Sequence, residues 1–264
     1  MAQDPEGPRV EPVPARPSLD LGVRGAGLSL GNSAEWRGFR VNLSDAGLRR
    51  VDGVNLTLWR PRENPDAVIR GAAVGLVAPE AREIHGLGLG LVGVVAGQRA
   101  RGVTVGGVGV VSDGALAGIQ AGGLGLVADG GMSGFSLGGL GLVSGAGMRG
   151  INIGGLGAVG EGPMDGRSPA LLGLVAEGPM RGISVAGLGT ISQGGLTGVG
   201  LGGLGVVVQG DARWLTLGGL ASIVEGHALG LSAGGLTMIA TGGATGLNVG
   251  GLAVMGGQSL RGIN

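Results

Sequence analysis

The sequence repeats every 16 residues from Gly102 to Asn264, without insertion or deletion. Successive blocks include GIQAGGLGLVADGGMS, GFSLGGLGLVSGAGMR and GLNVGGLAVMGGQSLR. A short period kept this strictly means that one small unit is copied and stacked on its neighbours, because so short a unit cannot bury its own apolar face. We therefore expect residues 20–264 to form a single repeat domain.

Each block has the pattern of two short β-strands. We number its positions 1 to 16, with position 1 at Gly118 and at the equivalent residue of every other block. Positions 2 and 4 are apolar and position 3 is small and polar, as in Ile151, Asn152 and Ile153, which is typical of a half-buried strand with its apolar side chains in the core. Positions 6–11 form a second strand with leucine at position 7, positions 12–14 carry turn residues, and position 15 returns an apolar side chain to the core. The sequence predicts an all-β protein of about 15 two-strand units.

The glycine content requires a structural reason. The chain contains 66 glycines, and each costs about 0.5–1 kcal/mol relative to alanine in regular structure. We expect positions 5 and 13 to need a positive φ, and positions 6 and 8 to lie where neighbouring layers approach closely. Valine at Gly123 or Gly139 should therefore destabilise the fold more than valine at Ser136.

Two β arrangements fit a constant block length. In a β-solenoid each block is one coil of a rod, whereas in a ring each block is a hairpin and the hairpins surround an axis. The sequence ends at Gly262–Asn264 within the first strand of a further block. Such a strand could pair with the first repeat and close a ring, which favours the hairpin ring slightly over the solenoid.

The first hundred residues depart from the strict repeat. Residues 1–19 hold five prolines among charged residues, which predicts a disordered tether. Residues 20–101 are a degenerate version of the repeat, with a longer loop around Pro61–Pro65 and 24 of the 36 charged residues before Val103. The start AQDPEG is typical of a mature N-terminus left by signal-peptide cleavage, so we expect an exported protein.

The repeat motif resembles a group of bacterial proteins. The segments GFRVNLS (38–44), GVNLTLW (53–59), GINIGGLGAV (150–159) and GLNVGGLAVM (246–255) resemble the Gly-apolar-Asn-apolar runs of glycine-rich bacterial surface-repeat proteins. That resemblance implies an exported β-repeat protein of the cell envelope, in some relatives a β-flower, which is a ring of hairpins about an apolar channel. It carries over no functional residue, and this sequence replaces much of the Asn and Gln with Ser, Thr or Gly.

The sequence contains no recognisable catalytic, cofactor-binding or metal-binding set. It has no Cys and no Lys, its two histidines are His85 and His227, and its net charge is zero, so thiolate zinc sites, Walker loops and nucleic-acid binding are not expected. His227 stands at a turn position and should be solvated. Acidic residues recur at position 12, which leaves calcium binding as an alternative to a solvated edge with local pairs such as Glu177–Arg181. The position-12 acids are Asp113, Asp129, Glu161, Glu177 and Glu225.

These observations favour a non-enzymatic bacterial envelope protein with a structural or interaction-scaffold role. The alternative is a module that binds a lipid or another apolar ligand, or docks on a membrane, through an interior lined by Leu, Val and Met. Because the last strand lacks a partner in sequence, self-association through the terminal strands is also expected.

Overall fold

The computed structural model describes residues 18–59 and 64–263, which form 27 β-strands and no helix. The all-β prediction is therefore confirmed. The chain is a β-solenoid of about 14 turns, because strands one coil apart pair in parallel, as Met132–Gly138 does with Met148–Gly154. A hairpin would join antiparallel strands instead. The hairpin ring favoured by the last strand is not formed by these residues.

Strands of two lengths alternate in the regular coils. The longer strand runs through positions 15 to 5 and the four-residue strand through positions 8 to 11. The strands of the first part of the chain are β1 Ser18–Val23, β2 Ala26–Gly31, β3 Glu35–Asn42, β4 Arg50–Thr57, β5 Val68–Gly75, β6 Glu80–Gly90 and β7 Gly93–Gly106. Those that follow are β8 Gly109–Ser112, β9 Ala115–Gly122, β10 Gly125–Ala128, β11 Met132–Gly138, β12 Gly141–Ser144, β13 Met148–Gly154, β14 Gly157–Gly160, β15 Met164–Ala170, β16 Gly173–Ala176, β17 Met180–Ala186, β18 Gly189–Ser192, β19 Leu196–Gly202, β20 Gly205–Val208, β21 Ala212–Gly218, β22 Ala221–Val224, β23 His227–Gly234, β24 Thr237–Ala240, β25 Gly243–Gly250, β26 Ala253–Gly256 and β27 Leu260–Ile263.

The N-terminal end differs from the regular coils. Strands β1 and β2 form an antiparallel hairpin, and β2 then pairs in parallel with β3. Of the tether expected over residues 1–19, residues 1–17 lie outside the described residues, and β1 begins at Ser18. The loop expected around Pro61–Pro65 lies partly outside them too, at 60–63.

Each coil has three sides. In the coil from Gly118 to Ser133, buried and exposed residues alternate along short stretches, and successive residues are exposed at positions 16 to 2, 6 to 7 and 12 to 13. Such interruptions mark the corners of the coil, because the strand alternation is lost where the chain bends. We call positions 2–5 side one, positions 8–11 side two and positions 13–16 side three.

A column of glycines forms the corner between side three and side one. Position 1 is glycine with a positive φ in every coil from Gly27 to Gly262 except one, where Trp214 stands. At Gly150 φ is 105°, and a Cβ there would lie 2.2 Å from the carbonyl oxygen of Gly134 in the preceding coil. The expectation of positive φ at positions 5 and 13 is wrong for the regular coils, because positive φ occurs instead at position 1 and, in Gly131, Gly147, Gly195 and Gly243, at position 14.

The close approach expected at position 6 is confirmed. A Cβ at Gly123 would lie 1.9 Å from the carbonyl oxygen of Gly107, and one at Gly139 would lie 1.9 Å from that of Gly123. Position 8 is less tight, because a Cβ there would lie between 2.8 Å, at Gly93, and 3.8 Å, at Gly173, from the carbonyl oxygen of the next coil. Crowding between coils is therefore greatest at position 6, on the corner between sides one and two, and is less severe at position 8.

The core is filled from positions 9, 11 and 15. Leu126, Leu142, Met148 and Met180 are at most 1% exposed, which confirms that position 15 returns the chain to the core. The polar residues of position 3 are also buried, although the alternation predicted them outside, and the apolar residues of positions 2, 4 and 7 lie on the outer surface. The reason is volume: three sides of about four residues enclose little space, and small Ser, Thr or Asn side chains fit opposite Met and Leu where Ile could not.

The interior becomes polar in the N-terminal coils. Arg40 is fully buried at position 3 and forms an ion pair with buried Asp45. Asp45 also accepts hydrogen bonds from Asn42 Nδ2 at 2.7 Å, from Asn55 Nδ2 at 2.9 Å and from the Thr57 hydroxyl. The charges are compensated on every side, so this cluster closes the apolar core at its N-terminal end without leaving a buried charge unpaired.

Candidate functional site

The outer surfaces of sides one and two are apolar along the regular coils. Positions 2 and 4 carry mostly Ile, Leu or Val on side one, position 10 carries Val, Ile or Met on side two, and the leucines of position 7 stand on the corner between them. The corner leucines with their exposed fractions are Leu124 52%, Leu140 49%, Leu156 42%, Leu172 41%, Leu188 47%, Leu204 51%, Leu220 48%, Leu236 47% and Leu252 80%. Monomeric soluble proteins rarely expose a continuous apolar surface of this kind.

With one exception, the charged residues of the regular coils lie on the remaining part of the coil. Of the 12 charged residues after Gly102, only Arg167 lies on side one, and the others occupy positions 12, 14 and 16. The solenoid is therefore amphipathic along its length, with two apolar sides and one polar side. This distribution follows from the repeat itself, since a residue type fixed at one position becomes a column when the coils stack.

Backbone amides at the apolar corner donate to carbonyl groups of the preceding coil. Around Leu140, the amide of Gly139 donates to the carbonyl of Gly122 at 3.1 Å, the amide of Leu140 donates to the carbonyl of Leu124 at 2.6 Å, and the amide of Gly141 donates to the same carbonyl at 3.1 Å. The same coil-to-coil bonds recur at the neighbouring corners. An apolar medium could therefore surround the corner at Leu140 while these three amides keep their hydrogen bonds.

The charged groups of side three form ladders between coils. Asp165 lies between Arg149 and Arg181 at the same position of adjacent coils, with N···O distances of 3.7 and 3.9 Å. The predicted Glu177–Arg181 pair is not among the ion pairs of residues 18–59 and 64–263, because Arg181 faces the adjacent coil. Within those ranges the acids of position 12 are not gathered into a group of three or more metal-ligating side chains.

The two histidines each lie beside an acidic residue. His85 Nε2 is 2.8 Å from Glu83 Oε2, and this hydrogen bond lowers the pKa of the Glu83 carboxyl. The backbone amide of His227 donates to Asp211 Oδ1 at 3.0 Å and lowers the pKa of Asp211. His227 is exposed, as expected, at the start of β23. Each acid also pairs with an arginine, Glu83 with Arg82 at 3.6 Å and Asp211 with Arg213 at 3.5 Å.

Trp214 is the residue that our sequence interpretation missed. It replaces glycine at position 1, keeps a positive φ of 97°, and is 75% exposed. The signal was present in the aligned blocks, since a tryptophan interrupts a column of glycines. Its significance depends on the bend at position 1, which only the structure locates.

No protein-family model, curated protein or solved structure matches the chain. In the part of the chain that the structure describes, no helix has both the length and the apolar character to span a membrane. The outer surface of the solenoid is thus the feature from which a function can be argued.

Proposed function

We propose that this protein is a non-enzymatic structural module of the bacterial cell envelope that docks on a lipid surface through sides one and two. The observation that carries the proposal is the apolar surface that covers both sides and the leucine corner between them, on which Arg167 is the one charged residue of the regular coils. The envelope location is supported by the resemblance of the repeats to bacterial surface-repeat proteins.

The shape of the apolar surface favours lipid over a folded partner. Sides one and two meet at a convex corner, so a flat protein surface could cover one side only. At about 4.8 Å per coil and about 3.3 Å per residue, the two sides present on the order of 1,000 Å² over the regular coils. Lipid chains deform around a wedge of this kind and can cover both sides together.

The apolar residues available to a ligand lie on the outer surface and not in the interior, where the sequence predicted them. The interior is packed with Leu, Met and Ala side chains that are almost fully buried, so the Leu, Val and Ile available for contact are those on the outside. Burying the exposed half of one corner leucine contributes about 1 kcal/mol. The nine corner leucines together contribute on the order of 9 kcal/mol, which is comparable with the cost of the translational and rotational freedom lost on binding.

Flotation with phosphatidylcholine vesicles tests the proposal. The unmodified protein should float with the vesicles, and Leu140→Glu combined with Leu156→Glu should weaken the partition at least about tenfold, because two carboxylates would enter the apolar layer. The fold should persist, since both leucines are more than 40% exposed.

The matched control adds the same two charges on side three, as Ser133→Glu with Thr197→Glu, at exposed residues of position 16. This variant should float like the unmodified protein. The proposal fails if the unmodified protein stays with the lipid-free fraction, or if both double variants float equally well. If a second copy of the chain covers the apolar sides instead of lipid, sedimentation without lipid should show a dimer. The variant with glutamate at both leucines should then sediment as a monomer.

Self-association through the terminal strands stays a prediction. Strand β27 pairs with β25, and all four of its residues are exposed. An exposed strand edge can pair with another chain, and such end-to-end pairing would lengthen the apolar sides without covering them.

A further inference from the structure

Trp214 occupies a place in the fold that suits glycine. Its Cα partners in the adjacent coils are Gly198 and Gly230. A Cβ on Gly198 would lie 2.2 Å from the carbonyl oxygen of the preceding coil, and one on Gly230 would lie 2.4 Å from the carbonyl oxygen of Trp214. A bulky residue at a positive φ is strained. Glycine at position 214 would therefore fit this column with less strain than tryptophan does.

The side chain contributes little to the fold in return. Its exposed fraction of 75% means that most of the indole contacts solvent, and the indole N–H takes part in no hydrogen bond among the described residues. By contrast Trp36 is 5% exposed and its Nε1 donates to the carbonyl of Gly27 at 3.1 Å. Strain that the packing does not compensate points to a function for the residue that causes it.

The corner that holds Trp214 separates the apolar and polar parts of the surface. Arg213 precedes it at position 16 and is exposed on side three, and Leu215 follows it at position 2 on side one. Arg181 and Arg149 occupy the same position 16 in earlier coils. An amphipathic ring at this boundary, next to the Arg213 guanidinium, matches the arrangement of tryptophan and arginine at a membrane–water interface.

We propose that Trp214 is an interfacial anchor that enters the headgroup layer of a lipid surface and fixes the depth at which side one is buried. The proposal rests on the proposed function, because it assumes that sides one and two face lipid. The indole body would contact the upper acyl chains, and its N–H would donate to an ester carbonyl or phosphate oxygen.

Two substitutions separate strain from anchoring. Trp214→Gly restores the glycine column, so its melting temperature should rise by a few degrees, while its partition into phosphatidylcholine vesicles should fall about tenfold. Trp214→Leu keeps a Cβ at the strained φ, so its melting temperature should stay close to that of the unmodified protein while its partition also falls. A gain in stability together with a loss of binding is not expected of a structural residue.

Fluorescence reports the depth directly. In a Trp59→Phe background only Trp36, which is buried, and Trp214 remain. Vesicles with bromine near the headgroup end of the acyl chain should quench Trp214 more strongly than vesicles brominated near the chain end. The anchor is overturned if the protein floats with vesicles but Trp214 is not quenched, or if Trp214→Gly floats undiminished. If the unmodified protein does not float at all, the proposed function fails and the anchor fails with it.

Discussion

Glycine serves two different purposes in this chain at the scale of single residues. At position 1 it supplies the positive φ that turns the strand from side three to side one, and at position 6 it permits backbone contact between coils. At position 8 a side chain is tolerated, and Ala221, Thr237 and Ala253 occur there. A glycine's conformational cost is therefore offset at some positions of the repeat and is avoidable at others.

A pair of alanine substitutions distinguishes these positions. Gly150→Ala should lower the free energy of unfolding by at least about 2 kcal/mol, because the methyl group meets the Gly134 carbonyl at a positive φ. Gly173→Ala should be neutral or stabilise by up to about 1 kcal/mol, because its Cβ has room and the unfolded chain loses entropy. Urea unfolding of both variants measures the difference, and equal costs would contradict the assignment of the bend to position 1.

At the scale of the element, the strand of side one turns its polar residues inward and its apolar residues outward. Alternation of Ile, Asn and Ile predicts a strand correctly but does not say which face is inside. In the coil the outer face is the apolar one: Ile119 is 51% exposed, and Ser136 is fully buried and donates to Gln120 Oε1 at 3.0 Å. The narrow interior selects the smaller side chain, and that selection needs the closed coil as well as the strand.

Two exchanges on side one test this orientation. Ser136→Leu should cost about 1–3 kcal/mol, because it overfills the interior and removes the hydroxyl that bonds Gln120. Ile119→Ser should cost less than about 1 kcal/mol, because half of the side chain is already in solvent. The order of the two free energies of unfolding is the result to examine, and a larger loss at Ile119 would show that side one is buried after all.

Sequence reasoning recovered the period, the strands and the buried position 15, since each depends on local pattern. It could not choose between ring and solenoid, because parallel pairing between Met132 and Met148 is a contact between coils that a single block does not encode. It also missed the cluster around Arg40 and Asp45, whose members come from separate coils. The apolar outer surface was not predicted either, because strand alternation does not say which face of side one points outward.

The whole molecule is a rod of roughly 65 Å, taking about 4.8 Å per coil, with an apolar wedge along its length and charges along the opposite side. The repeat multiplies any preference of one coil, so a modest contribution from each leucine becomes a large one over the rod. Binding through this wedge should respond little to salt, because the contact surface is nearly uncharged.

Site-directed spin labelling tests the lipid-facing orientation most directly, and the absence of cysteine from the chain makes single labels straightforward. Nitroxides at Leu140→Cys on the apolar corner and at Ser133→Cys on side three would be examined on vesicle-bound protein. We expect the label at 140 to be accessible to oxygen dissolved in the acyl chains and shielded from a water-soluble relaxation agent, with the reverse at 133. Equal access of the water-soluble agent to both labels would contradict the account.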